Sequence, residues 1–142
     1  MKRVLLIIFI SIFLILGLTA CTKSKNKSGV TMAIKKETLT SSGATVILIN
    51  NTDKKIMYGN PYEIEVKKDG KWEKIDNNLN FNLPLFYLLP GEKKEMKLKW
   101  EDGYGKLKKG TYRIIKNIRY ESEEETSKDF IVSAEFVIDN SK

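Results

Sequence analysis

The sequence feature that most constrains the fold is a hydrophobic period of two residues that runs through residues 30–138. It is clearest from Lys93 to Trp100, where Met96, Leu98 and Trp100 alternate with charged residues. Residues two apart lie on the same face of a β-strand, so this spacing predicts a half-buried strand. No stretch of 30–138 shows the 3.6-residue period that an amphipathic helix would have.

Turn sequences separate the alternating runs at short intervals. Asp69-Gly70, between two β-prone runs, is a hairpin signal. We predict strands at 30–39, 44–50, 55–58 continued by 62–68, 71–76, 81–88, 93–100, 111–120 and 129–138. Seven or eight short antiparallel strands in a chain of this length predict an all-β, Greek-key β-sandwich.

Aromatic residues at particular strand positions add to this prediction. Gly110 and Tyr112 form a Gly-x-Tyr sequence at the start of the penultimate strand. In Greek-key sandwiches such a tyrosine forms a corner, with its hydroxyl bonded to upstream backbone. Trp72, Trp100 and Phe136 also fall on predicted inward faces, so we assign them with Tyr112 to the core.

The amino-terminal 21 residues have the pattern of an export signal. Lys2 and Arg3 precede the uncharged run Val4–Leu16, which is shorter than the roughly 20 residues of a spanning helix. Leu18-Thr19-Ala20-Cys21 resembles the lipobox of bacterial lipoproteins. The resemblance implies that a signal-peptide helix, 1–20, is removed and that Cys21 carries diacylglycerol with fatty-acyl chains such as palmitate.

A polar tether follows the predicted lipid site. Residues 22–29 (TKSKNKSG) contain three lysines and no apolar side chain, so they cannot bury enough surface to fold. With Cys21 they form the segment 21–29, whose reach is roughly 15 Å for a flexible chain. We therefore expect the domain 30–142 to lie close to the extracytoplasmic face of the cell membrane.

Composition excludes several classes of function. The chain has no His and only one Cys, which rules out an internal disulfide and any catalytic triad or zinc site that needs His. Its net charge is +7, and about +5 once Lys2 and Arg3 are removed. Almost all of the basic residues are Lys, whereas nucleic-acid readers depend on Arg, so we expect no nucleic-acid binding. A lysine-rich surface suits anionic lipid or an anionic wall polymer.

Two acidic stretches do not change this interpretation. Glu121, Glu123, Glu124 and Glu125 lie between the last two strands and are typical of a solvated hairpin loop, because calcium needs six to eight oxygens from a shaped loop. Residues 101–105 lack the alternating ligands of a calcium loop and are interpreted as a turn. We predict no metal site, no cofactor and no enzymatic activity.

Taken in order along the chain, several motifs resemble the bacterial immunoglobulin-like domain family. They are ATVILINN at 44–51, IMYG at 56–59, YEIEV at 62–66, DGKW at 69–72, LPGE at 89–92, GTYRI at 110–114 and AEFVI at 134–138. The family occurs in small lipoproteins and in the extracellular tails of membrane sensor proteins and metallopeptidase-like antirepressors. The resemblance covers essentially all of 30–138 and implies a non-catalytic immunoglobulin-like sandwich.

Three functions remain open from the sequence. The first is a lipid-anchored binding or accessory module that contacts an envelope protein or an anionic wall polymer. The second is a proteinase inhibitor, since LPGE and GTYRI are also similar to a small immunoglobulin-like bacterial inhibitor; its reactive loop would be 77–88 or 101–109. The third is a purely structural envelope lipoprotein. The candidate partner surface comprises Phe86, Tyr87, Tyr104, Lys97 and Lys99.

Overall fold

A computed structural model describes residues 29–121 and 129–139, and there the chain forms two antiparallel β-sheets. The strands are β1 Val30–Ile34, β2 Gly43–Asn50, β3 Ile56–Tyr58, β4 Glu63–Lys68, β5 Lys71–Lys74, β6 Phe86–Leu88, β7 Lys93–Lys99, β8 Gly110–Tyr120 and β9 Phe130–Ile138. A 3-10 turn at Lys36–Thr38 follows β1, and a four-residue helix α1, Glu101–Tyr104, follows β7. The all-β prediction is confirmed. The described residues form nine strands rather than seven or eight, because 55–58 and 62–68 form two separate strands, β3 and β4, that both pair with β8.

The two sheets differ in size and are linked in Greek-key order. The small sheet has the order β1-β2-β7. In the large sheet the long strand β8 pairs with β9 on one side, and with both β4 and β3 on the other. Strand β5 then pairs with β4, and β6 with β3. The chain crosses between sheets after β2, β6 and β7, which confirms the predicted sandwich topology.

The core lies between the sheets and is built from the inward positions of each strand. In β2 every second residue is buried, including Val46 and Leu48, as a period of two requires. Trp100 is fully buried and stacks on Phe136 with ring centroids 5.3 Å apart. Its indole Nε1 donates a 2.8 Å hydrogen bond to the Ser41 carbonyl, so its one polar group is satisfied.

Two local predictions are confirmed. Asp69 and Gly70 both have positive φ, 48° and 77°, and join β4 to β5 in a two-residue hairpin. The Tyr112 hydroxyl donates a 2.8 Å hydrogen bond to the carbonyl of Lys108, which is the tyrosine corner. A Cβ atom at Gly110 would lie 3.2 Å from the Tyr112 ring, so the corner favours glycine there.

The predicted strand 81–88 is only partly correct. Regular pairing is confined to Phe86–Leu88, because the preceding residues leave the large sheet and pass over the edge of β7. Pro84 lacks the N–H that a ladder needs. The segment contacts α1 so closely that a side chain at Gly103 would collide with Leu79.

The assignment of Trp72 to the core is wrong. Trp72 pairs with Lys67, and in β4 the inward residue is the fully buried Ile64, so Lys67 and Trp72 face outward. There the indole lies between two cations, with Lys67 Nζ at 5.3 Å and Arg113 Cζ at 4.7 Å from the ring centroid. The hairpin register determines that the Trp72 side chain lies on the outer face of the sheet. There it makes cation–π contacts instead of packing in the core.

Several predictions concern residues outside the described part of the chain. These are the signal-peptide helix, the lipobox residues Leu18, Thr19 and Ala20, the lipid site Cys21, the tether up to residue 28, and Glu123, Glu124 and Glu125. Among the residues described, no helix is long and apolar enough to span a bilayer.

Candidate partner surface

A row of exposed apolar side chains surrounds β6. We name it the β6 surface, and its members with their exposed fractions are Leu83 83%, Leu85 63%, Phe86 38%, Tyr87 52% and Leu89 49%. Five large apolar residues within seven positions together expose on the order of 500 Å². Strand β6 also ends the order of the large sheet, so within the described residues its outer edge faces no other strand. The surface thus combines apolar side chains with an unpaired strand edge.

The carboxyl-terminal end of β6 is held by a buried amide and a glutamate. The Asn50 side chain is fully buried, and its Nδ2 donates to the carbonyls of Leu88 at 3.0 Å and Lys54 at 2.8 Å. Its Oδ1 accepts from the Thr52 backbone N–H and hydroxyl. Glu92 Oε2 accepts from the Leu89 N–H at 2.8 Å. These bonds position the turn that follows β6.

Sequence analysis placed Asn50 at the end of the predicted strand 44–50 and did not single it out. An Asx-turn signal at this position was available, because Asn side chains bond to backbone two residues on. What the sequence did not contain was the long-range bond to Leu88, which depends on the tertiary fold.

The rim of the β6 surface is charged. Lys55 Nζ lies 4.7 Å from the Tyr87 ring centroid and 2.6 Å from Glu121 Oε1. A hollow of about 200 Å³ next to Leu85 is bordered by residues that include Met57 and Arg119. Apolar side chains with a polar rim are the usual composition of a protein interface.

Lys116 lies behind this region and was not predicted. It occupies an inward position of β8, is 1% exposed, and donates to the carbonyls of Gly59 at 2.7 Å, Pro61 at 3.0 Å and Asn60 at 3.4 Å. Burial lowers the pKa of the Lys116 ammonium to about 8. The three bonds use all three ammonium protons, so the buried charge is fully hydrogen-bonded.

The structure places Lys97 and Lys99 at a separate site. Both are exposed on the outer face of β7, opposite the half-buried Met96 and Leu98, as the alternation predicted. They border a groove of about 310 Å³ between β7 and the segment 79–82, which we name the β7 groove.

Tyr104 lies neither at the β6 surface nor at the β7 groove. Its hydroxyl accepts from the Ile64 N–H at 3.1 Å and from Asn77 Nδ2 at 3.0 Å, and its ring stacks on Tyr62. Burial raises the pKa of this half-buried phenol. Tyr104 therefore packs α1 against β4. The five residues of the predicted partner surface thus lie at three separate places: Phe86 with Tyr87, Lys97 with Lys99, and Tyr104 alone.

Metal-ligating side chains do not converge anywhere within 29–121 and 129–139. In that part of the chain every buried side-chain nitrogen or oxygen has a hydrogen-bond partner. Glu121, the one described member of the acidic cluster, pairs with Lys55.

Comparison with known families agrees with the two-sheet architecture. The family model of the bacterial Ig-like domain matches residues 26–136. No curated protein and no solved structure shows significant similarity to the chain.

Proposed function

Because the chain belongs to the bacterial Ig-like domain family, we propose that it is a lipid-anchored binding module on the extracytoplasmic face of the membrane. It binds another envelope protein through the β6 surface and catalyses no reaction. The observation that carries the proposal is the row of five exposed apolar residues on a strand edge.

The sequence supports the anchor. Cys21 is the only cysteine and stands directly after Leu18-Thr19-Ala20, where a lipobox requires it. The match to the family begins at residue 26, so a short polar segment separates the lipid site from the domain. The domain is then held within about 15 Å of the bilayer, where it meets proteins embedded in that membrane.

Protein binding is the function that the β6 surface suits best. An exposed apolar area of this size is in the range of the largest apolar patch on a typical monomer, and such patches are often functional. A partner segment in extended conformation can add to the edge of β6 by backbone pairing, while Leu85 and Tyr87 supply side-chain contacts. A purely structural lipoprotein would have no reason to expose such a row, so the β6 surface favours the binding module.

The anchor is tested by replacing the lipid-accepting thiol. In the native host, Cys21→Ser should abolish labelling by radioactive palmitate and move the protein from the membrane fraction to the soluble fraction. A Thr22→Ser variant, altered one residue later, should keep both the label and the membrane location. Palmitate labelling of the Cys21→Ser protein would overturn the anchor.

The surface is tested by site-specific cross-linking in cells. A photoreactive phenylalanine derivative replaces Tyr87 in one variant and Val137 in the control, since these side chains are 52% and 59% exposed. We expect a discrete protein adduct from position 87 only, and its loss when Leu85→Ser and Leu89→Ser are added. Equal adducts from both positions, or none from position 87, would contradict a partner at the β6 surface.

The inhibitor function makes a different prediction about the same segment. Residues 82–85 are exposed and outside regular strands, as a reactive loop would be. An inhibitor would titrate the secreted proteases of its host and remain intact, whereas a binding module would be cleaved near Leu85 or ignored. Stoichiometric inhibition would replace the proposal made above.

A further inference from the structure

The β7 groove has a chemistry that the β6 surface lacks. Three amides, Asn60, Asn80 and Asn82, and two lysines, Lys97 and Lys99, border it, and Phe81 forms part of its apolar wall. The three amides are exposed, and their side chains form no hydrogen bond with any described residue. The groove therefore presents donors and acceptors that are satisfied only by water.

The outer face of β7 beside this groove has a net positive charge. Of the 25 basic residues, five precede Gly29, so the domain contains 20 basic and 18 acidic residues and a net charge of +2. The outward positions of β7 are Lys93, Glu95, Lys97 and Lys99, and Glu95 is paired with Lys35 at 3.3 Å. Asp102 pairs with Lys99. The four outward residues of β7 together with Lys35 and Asp102 have a net charge of +2.

We propose that the β7 groove binds a hydroxyl-rich polyanion, namely a polyol-phosphate chain. Lysine ammonium groups bind phosphate or carboxylate as point charges. Each amide offers two donors and an acceptor, which is the combination that vicinal hydroxyls need. Lys97 and Lys99 are two residues apart on one face, so their Cα atoms are separated by about 7 Å, close to the length of a three-carbon phosphodiester repeat.

Lysines on β7 have another physical role, since charged side chains on an edge strand prevent pairing with other chains. That role accounts for Lys97 and Lys99 but requires no amides. Asn60 comes from the connection after β3, and Asn80 and Asn82 come from the segment that crosses to β7. Convergence of three amides from two distant segments beside the lysines is what indicates a ligand with hydroxyl groups.

The test uses the full chain, purified in a neutral detergent, and isothermal titration at about 0.15 M salt, where non-specific charge effects are partly screened. Three probes separate the contributions: a glycerol-phosphate oligomer, an uncharged glucose oligomer, and inorganic polyphosphate, which has charge but no hydroxyls. We expect binding of the glycerol-phosphate oligomer with at least tenfold higher affinity than either of the other probes.

Two double variants and one control locate the site. Lys97→Gln with Lys99→Gln should weaken binding of the glycerol-phosphate oligomer at least tenfold. Lys108→Gln with Lys109→Gln removes the same charge from exposed lysines elsewhere and should change affinity less than twofold. Asn80→Ala with Asn82→Ala should weaken binding of the glycerol-phosphate oligomer about fivefold and leave polyphosphate binding unchanged. Circular dichroism verifies that each variant is folded.

Several results would overturn this inference. They are equal losses in the two lysine variants, polyphosphate binding as tight as that of the glycerol-phosphate oligomer, or no binding of the glycerol-phosphate oligomer at millimolar concentration. The β7 groove and the β6 surface share no residue, so such a failure leaves the proposed protein-binding function to be judged by its own cross-linking test.

Discussion

Replacing Lys116 by methionine is the most informative perturbation of this fold. Methionine has a similar length and no charge, so the variant keeps most of the packing and removes the donor to Gly59, Asn60 and Pro61. These carbonyls belong to the connection between β3 and β4, the two strands that share one side of β8. The substitution therefore tests whether the buried ammonium holds that connection.

The expected loss of stability follows from the exposure of each carbonyl. A buried acceptor left without a partner costs about 1–3 kcal/mol. Asn60 and Pro61 are exposed residues and water can reach them, whereas Gly59 is half-buried and would lose most. We expect the free energy of unfolding at pH 7 to fall by about 2–3 kcal/mol, with a decrease in the melting temperature of roughly 10 °C for a domain of this size.

The pH dependence gives a second, independent result. In the folded protein the pKa of Lys116 is about 8, whereas an unfolded lysine has a pKa of about 10.4. Between these values the unfolded chain binds more protons than the folded chain, so the stability of the parent rises with pH. The rise is up to about 1.4 kcal/mol per pH unit, or roughly 3 kcal/mol over the window. The methionine side chain of the variant does not titrate and cannot contribute this rise. The difference in the free energy of unfolding between parent and variant should therefore grow with pH.

Urea unfolding at pH 7, 8, 9 and 10, followed by tryptophan fluorescence, measures both effects. Burial raises the pKa of Tyr62 and Tyr58, which lowers stability above pH 10, but this occurs in both proteins and cancels in the difference. Lys109→Met, at an exposed turn, is the control and should change stability by less than about 0.5 kcal/mol. A Lys116→Met variant as stable as the parent, or a difference that stays constant with pH, would refute the reasoning.

Two further substitutions test the other buried polar contacts by urea unfolding. Asn50→Ala should cost about 2–3 kcal/mol, because the carbonyls of Leu88 and Lys54 lose their donor, whereas the exposed neighbour Asn51→Ala should be nearly neutral; equal effects would contradict the role of Asn50. Tyr112→Phe should cost about 1 kcal/mol through loss of the corner hydrogen bond, and the exposed Tyr87→Phe should cost none. A neutral Tyr112→Phe would mean that the corner adds no stability.

Local patterns were sufficient to predict most of the fold. The alternation of Met96, Leu98 and Trp100 predicted which face of β7 is buried, because a strand places every second side chain on the same side. Asp69-Gly70 predicted the β4–β5 hairpin, since both residues tolerate positive φ. In each case the signal and the structure it specifies lie within a few residues of each other.

Features that depend on distant contacts were missed. Lys116 has the same spacing as the inward residues Ile114 and Ile118, so the alternation alone predicts an inward position. A lysine is nevertheless expected at the surface, because burying its charge is costly. Its three acceptors are about 55 residues away in sequence. Trp72 was assigned to an inward face of its strand, but the hairpin register pairs it with the outward Lys67. The contacts of Lys116 have no signature in the local sequence, whereas the facing of Trp72 follows from the local hairpin register.

The break between β3 and β4 connects the buried lysine to the β6 surface. Strand β8 pairs with β4 up to Ile115 and with β3 from Ile118, and Lys116 lies where the partner changes. Strand β3 is three residues long, and all three of its residues pair with β6. Lys116 thus bonds to the connection at the end of β3, the strand that pairs with β6, which carries the β6 surface.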